Sequence, residues 1–224
     1  MYKGKRVAAV VLAAGSGSRM GLPENKVCLM LDGRQIIAHA LAAFAGHSYV
    51  DELVLAVREE ERAEMEVLAA EQGKPCRVVL GGTTRQASVC AAIRDLKSEI
   101  VLVHDGARPL VREACIAACV EALDRYDGAI PVLPMEEQVC RVGEKRQAKP
   151  EVLRQPLYGA QTPQGFHTKI LQRCHARYQD DPAATDDSRL LELEGYKVGA
   201  VRGAPENIKI TTPLDLLVAE AYLA

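Results

Sequence analysis

Short apolar runs recur along the chain at 6–12 (RVAAVVL), 52–57 (ELVLAV), 76–80 (CRVVL), 100–104 (IVLVH) and 129–134 (AIPVLP), rich in valine and without strict alternation. Strands of that kind are covered on both faces, as in a parallel sheet. Between them, 36–46, 59–73, 85–96 and 112–126 space their apolar residues as helices do. Strand and helix alternate, which predicts an α/β class: a three-layer α/β/α sandwich around a mostly parallel, Rossmann-like sheet with right-handed crossovers. From about 135 the pattern breaks into a charged stretch, MEEQVCRVGEKRQAKPEVLRQPLYGAQ. It is too long for an ordinary loop, and predicts a projecting hairpin arm at about 135–157. Regular structure resumes at FHTKILQRCHARY (166–178), followed by a helix near DDSRLLELEG, a strand at 197–201 and a closing helix at 213–224. A length of 224 residues suits a single domain, 1–224, with that arm as its one excursion.

Charge and cysteine content narrow the chemistry. With 28 Lys+Arg against 30 Asp+Glu, the net charge of -2 offers no global attraction to nucleic acid or an anionic membrane, so any anion site is local. The basic start MYKGKR precedes an apolar run too short for a signal peptide, and no stretch approaches the roughly 20 apolar residues of a membrane span. A soluble, cytoplasmic protein is expected. The seven cysteines are odd in number and lie in apolar segments, which favours reduced thiols over a disulfide framework. Cys115 and Cys119 lie four apart, without the second pair or nearby histidine of a zinc site.

Open parallel sheets bind ligands beyond the carboxyl ends of their strands. That rule selects the loop 13–26 after the first strand, GGTTRQAS (81–88), DGARP (105–109) and NIKITT (207–212), where glycine, arginine, lysine and aspartate concentrate. The first loop, AAGSGSRMG (13–21), is neither a P-loop nor a dinucleotide fingerprint: its glycines run G-x-G-x-x-x-G, and the second strand ends in Ala-Val-Arg without an acidic residue. Gly15 and Gly17 can turn backbone N–H groups toward an anion, Ala13 and Ala14 permit close approach, and Arg19 and Lys26 add two charges. Such a nest suits a triphosphate, the alternative being a tight turn with two solvated cations. Gly81 and Gly82 would let backbone groups meet a flat base, with Ser88 as a short donor or acceptor, or else form a plain strand-to-helix turn. Asp105 ends a buried strand, a costly place for a carboxylate without a counterion. A Mg2+ ion at Asp105 with Arg108 on a phosphate answers that cost, and so does a salt bridge between the two. His104 reads as structural. Lys209, between two isoleucines, faces cleft or solvent if the segment is a strand. The acids of TDDSRLLE (185–192) are accounted for by a helix N-cap and dipole.

With these segments assembled, the chain resembles the 2-C-methyl-D-erythritol 4-phosphate cytidylyltransferases of the non-mevalonate isoprenoid pathway, within the nucleotide-diphospho-sugar transferase type of fold. AAGSGSRMG (13–21), NKVCLMLDG (25–33), GGTTRQAS (81–88), VHDGARP (103–109), AQTPQGF (160–166), TDD (185–187) and NIKITTPLDL (207–216) carry the resemblance. It implies transfer of CMP from CTP to a polyol phosphate with release of pyrophosphate, and a Mg2+ cofactor. By motif position, Arg19 and Lys26 would grip the β- and γ-phosphates and Lys209 the α-phosphate. Asp105 would help hold the metal, Gly82 and Ser88 would address cytosine, and Ala13 to Gly17 would line the nucleotide bed. Arg108, Arg154 and Thr162 would serve the substrate phosphate. The arm would exchange across a homodimer. The chain departs from the family in PVLPMEEQVCRV, where Met135 or Gln138 stands in place of a threonine and no lysine follows until Lys145. Methylerythritol 4-phosphate is the favoured substrate. Ribitol 5-phosphate and a nucleotide-binding module without catalysis are the alternatives.

Overall fold

The computed structural model describes residues 1–15, 25–137, 139–142, 148–150, 156–178 and 186–223. Arg19, Gly17, Gln138, Lys145 and Arg154 therefore lie outside the described residues. In chain order the strands are β1 (Val7–Leu12), β2 (Met30–Leu31), β3 (Arg34–Gln35), β4 (Glu52–Val57), β5 (Cys76–Leu80), β6 (Ile100–Asp105), β7 (Gly128–Pro134), β8 (Cys140–Val142), β9 (Ala148–Pro150), β10 (Tyr158–Ala160), β11 (Gln164–His167) and β12 (Val198–Arg202). The helices are α1 (Ile36–Gly46), α2 (Arg62–Ala70), α3 (Arg85–Ile93), α4 (Glu113–Ala122), α5 (Thr168–Arg177), α6 (Asp187–Leu193) and α7 (Pro213–Leu223).

The main sheet runs β7-β11-β6-β1-β4-β5, with β10 beside β7 and β12 pairing β7 in parallel. Its centre, β6-β1-β4-β5, is parallel throughout. The unbroken apolar runs have the expected cause. Along β1, Val7, Ala9 and Val11 enter one core with Leu41 and Phe44 of α1 and Ile116 and Val120 of α4. Ala8 and Val10 enter another with Val89 and Ile93 of α3, Leu171 of α5 and Leu190 of α6. β4 and β6 alternate in the same way, so the sheet is the middle of three layers. Burying each leucine or isoleucine there contributes about 1.5–3 kcal/mol.

The sheet is mostly parallel, as expected, with an antiparallel part: β10 and β11 run antiparallel to β7, and β11 also antiparallel to β6. β11 was concealed because its four residues, QGFH, contain one large apolar side chain and lead straight into α5. NIKITT (207–212) forms no strand. It is an extended segment whose Ile210 N–H donates to the Ala107 carbonyl at 2.8 Å. The alternation still holds, with Ile210 fully buried and Ile208 packed in a small core against Leu31, Ile36 and α7. In the predicted arm, β8 and β9 pair antiparallel, from Cys140 opposite Pro150 to Val142 opposite Ala148. No helix among the described residues is long and apolar enough to cross a membrane. None of the seven cysteines forms a disulfide.

Candidate active site

The pocket forms where three parallel strands end side by side. Leu12 of β1 is in register with Asp105 of β6 and Ala56 of β4, so the segments after β1, β5 and β6 open on one side of the sheet. Together they line a cavity of about 760 Å³ that includes Ala14, Gly15, Lys26, Gly82, Ser88, Arg85, Asp105 and Lys209. That volume falls in the range of small-molecule sites.

One wall is built from uncharged contacts. Gly81 lies against the β1 loop, and a Cβ on it would collide with the Ala14 methyl and come within 2.9 Å of Ser88 Oγ. Only glycine lets these two loops touch. Thr84 caps α3 by accepting from the Ala87 N–H at 3.0 Å. The Ser88 hydroxyl accepts from the Gly82 N–H at 3.1 Å and donates to the Thr84 carbonyl at 2.9 Å, which fixes the turn. At the far end of the first loop, Asn25 donates to the Ala13 carbonyl at 2.6 Å and to Glu61 at 3.1 Å. It also accepts from the Val27 N–H, capping the short turn Lys26–Cys28. Asn25 thereby anchors Lys26 at the cavity. Its role was not evident in the sequence, where it looks like a polar loop residue.

The opposite wall is ionic. Lys209 Nζ lies 2.7 Å from Asp105 Oδ2, Arg85 Nε 3.4 Å from Asp105 Oδ1, and Arg108 Nε 3.7 Å from Oδ2. Burial alone would push the Asp105 pKa up, but Arg85, Lys209 and Arg108 outweigh it and hold the carboxyl well below its ordinary range. Asp105 is therefore ionised at neutral pH. Arg85 turns its other side to Asp187, 2.6 Å away and shut off from solvent, and Asp187 also accepts from His175 Nε2 at 2.9 Å. Burial would raise the Asp187 pKa too, and Arg85 and His175 reverse the shift.

Arg108 and Thr162 are placed beneath the pocket and do not line it. The Arg108 guanidinium donates to the Asn207 carbonyl at 2.7 Å in addition to facing Asp105, the arrangement of the salt-bridge alternative. Thr162 Oγ1 accepts from the Asp105 N–H at 3.1 Å and contacts His104 Nδ1 at 3.0 Å, while His104 Nε2 meets the Arg108 carbonyl at 3.0 Å. A carbonyl can only accept, so Nε2 carries the proton and Thr162 donates to Nδ1. Burial lowers the His104 pKa to about 4, which keeps the ring neutral. These bonds fix the backbone of VHDGARP. Ala13 is likewise enclosed beneath the cavity. Lys209 is located by its neighbours: Gln161 exchanges two hydrogen bonds with Ala204, and Asn207 donates to the Thr162 carbonyl at 2.8 Å.

Arg85 and Asp187 were not singled out as site residues. Arg85 opens α3, where a cation opposes the helix dipole. That misplacement is the available signal that another interaction holds it. In TDD the cap is Asp186, which accepts from the Arg189 N–H at 2.9 Å, and Asp187, an early acid of the helix that the dipole alone would explain, instead meets Arg85 and His175.

Among the described residues, no group of three or more His, Cys, Asp or Glu side chains could enclose a metal. Asp105 does fit a cation of another kind. It is an ionised carboxylate among the cavity-lining acids, which also include Glu59 and Glu60, and Mg2+ commonly takes one or two carboxylates, with substrate phosphates supplying further oxygens.

A family model described as 2-C-methyl-D-erythritol 4-phosphate cytidylyltransferase matches residues 7–224. A protein of that name from Alkaliphilus metalliredigens is 38% identical across 100% of this chain and 95% of its own. One from Bacillus cereus is 39% identical across 96% of each. Among solved structures, 4-diphosphocytidyl-2C-methyl-D-erythritol synthase from Anaerococcus prevotii superposes with a TM-score of 0.86 at 30% identity, covering 99% of both chains. The 2-C-methyl-D-erythritol 4-phosphate cytidylyltransferase from Thermus thermophilus gives 0.79 at 32% identity, covering 96% of this chain and 97% of its own. A match over nearly the whole length, joined to the pocket at the strand ends, establishes that this chain belongs to the 2-C-methyl-D-erythritol 4-phosphate cytidylyltransferase family.

Proposed function

We propose that the protein transfers CMP from CTP to 2-C-methyl-D-erythritol 4-phosphate in this cavity, giving 4-diphosphocytidyl-2-C-methyl-D-erythritol and pyrophosphate. The observation that carries the site assignment is the convergence of Lys26, Lys209 and the ionised Asp105 on one cavity beside the glycine turn of Gly81 and Gly82. An oxygen of the substrate phosphate bonds to the α-phosphorus. The bond from that phosphorus to the bridging oxygen breaks, and pyrophosphate leaves with the electron pair. A phosphate dianion is already nucleophilic, so the protein orients the reactants and neutralises charge. Lys209 meets the α-phosphate, and Lys26 with Arg19 the β- and γ-phosphates. Gly82 and Ser88 face the cytosine, and Gly15 with Ala13, Ala14 and Gly17 forms the nucleotide bed. Lys209 is held by Asp105 before substrate arrives, so binding exchanges a carboxylate partner for a phosphate.

Mg2+ would be held at Asp105, where it supplies charge neutralisation to the triphosphate. The substrate phosphate is assigned to Arg154 and, through the arm, to a second copy of the chain. Arg108 and Thr162 support that region by ordering the loop around Asp105. Exposed apolar side chains on and beside the arm, Met135, Val142, Leu157 and Tyr158, support a homodimer, which sedimentation equilibrium tests as a doubled mass.

Pyrophosphate release is measured with CTP, Mg2+ and a panel of polyol phosphates. Turnover of methylerythritol 4-phosphate is expected. Turnover of ribitol 5-phosphate alone would change the substrate, and tight CTP binding without any pyrophosphate would leave a binding module.

A further inference from the structure

The pair Arg85 and Asp187 has no part in the reaction as described, yet it ties a fully enclosed carboxylate to a side chain that lines the cavity. The Asp187 side chain is 1% exposed. A carboxylate there is costly unless it is fully partnered. Its Oδ2 accepts from an Arg85 terminal nitrogen at 2.6 Å and its Oδ1 from His175 Nε2 at 2.9 Å. His175 is equally buried, and its Nδ1 has no partner among the described residues. Asp187 is thus fixed from two sides and has no contact with the cavity. It can act on the reaction only through Arg85.

Arg85 spans the distance. Its side chain is 30% exposed and lines the cavity, and its Nε faces Asp105 Oδ1 at 3.4 Å while Lys209 holds Oδ2. The two Asp105 oxygens therefore have different partners. Oδ1 faces a guanidinium tied to a buried carboxylate, and Oδ2 is held by a flexible lysine that the reaction draws away to the nucleotide, with Arg108 Nε farther off at 3.7 Å. An arginine suits the first task because its planar fork reaches two carboxylates at once, which a lysine ammonium does not do in a fixed orientation.

We propose that Arg85, pinned by Asp187 and His175, is a positioning residue that keeps Asp105 Oδ1 engaged and so presents Oδ2 to a divalent cation once Lys209 has moved to the nucleotide. This rests on the reading of Asp105 as the metal-binding carboxylate. No group in the unit touches the reacting phosphorus. Its contribution is the orientation of one carboxylate, whose Oδ1 would otherwise lose its partner and leave Arg108 as the remaining contact once Lys209 has moved.

Mn2+ binding to the full-length protein with CTP present, followed by electron paramagnetic resonance, reads the effect without turnover. Wild type, Asp105→Asn, Asp187→Asn and Arg85→Lys are compared, alongside the half-saturating Mg2+ concentration for pyrophosphate release. Asp105→Asn is expected to abolish the protein-dependent Mn2+ signal. Asp187→Asn is expected to weaken Mn2+ binding and raise half-saturating Mg2+ about tenfold, with KM for the polyol phosphate within about twofold of wild type. Arg85→Lys keeps the charge and should weaken metal binding about as much, and it carries the same test if Asp187→Asn does not fold. Lower thermal stability with wild-type Mn2+ affinity in the folded variants would reduce the unit to a structural tie between α3, α5 and α6 and overturn the positioning role. If Asp105→Asn itself leaves Mn2+ binding unchanged, the metal assignment fails and the positioning role falls with it.

Discussion

The two walls of the cavity are held in opposite ways. On one side Ala14, Gly81, Gly82 and Ser88 meet through close contact and neutral hydrogen bonds. On the other, Asp105, Arg85 and Lys209 are held by ion pairs that largely satisfy one another, with Asp187 behind Arg85. Neutral contacts fix a shape and discriminate among bases by fit. Ion pairs can exchange partners, which suits a reaction in which negative charge arrives and departs. Shape belongs to recognition of the nucleotide and exchangeable charge to the transition state, so substitutions in the two walls should divide between KM and kcat.

The largest effect is expected from Lys209→Ala. Losing a cation that acts mainly in the transition state costs about 3 kcal/mol of barrier, roughly a hundredfold in kcat, read by steady-state kinetics. Lys26→Ala should match it in kcat/KM, and a loss confined to KM would move Lys26 to the binding wall. Next is a pH effect on stability. The folded-state pKa of His104 lies at about 4 against an ordinary 6.5. Between these values the unfolded chain binds the extra proton, so stability is present at neutral pH and is lost as pH falls from about 6.5 toward 4. The loss approaches about 3 kcal/mol, measured by urea unfolding at stepped pH. His104→Gln should flatten that dependence, and an unchanged slope would mean that the ring is not the group responsible.

Gly81→Ala sharpens the comparison from the neutral side. Its Cβ would collide with Ala14, so the loops must separate at a cost of about 1–3 kcal/mol. The loss should fall on CTP affinity in isothermal titration, with kcat at saturating CTP held within about threefold. The smallest effect is expected from Ser88→Ala, which removes two local hydrogen bonds worth roughly 1 kcal/mol each. It should raise KM for CTP and narrow the preference for CTP over UTP. A fall in kcat alone would contradict the division between the walls.

The walls also differ in how far the sequence reveals them. Loops after β1, β5 and β6 are legible because unbroken apolar runs mark buried parallel strands, whose carboxyl ends then locate the ligand. Asp105 is legible because a carboxylate ending such a run requires a counterion. Lys209 is legible from alternation with Ile208 and Ile210 even though the segment joins no sheet. The partners of these groups are a different matter. Arg85 and Asp187 are 102 residues apart, and no periodicity connects them. Thr162 and Arg108 also hold the backbone beside Asp105 and at Asn207, contacts that their motifs do not announce. Strand β11 and the Asn25 clamp escape for the same reason. Their residues are ordinary in isolation and acquire a role only from what the sheet sets beside them.

Lys209→Ala tests the central claim most directly, with its equilibrium CTP affinity and single-turnover rate measured side by side in saturating Mg2+. The exchange of Asp105 for phosphate at Lys209 predicts CTP binding within about threefold of wild type and a rate lowered roughly a hundredfold. Loss of CTP binding with an unchanged rate for the bound fraction would contradict it.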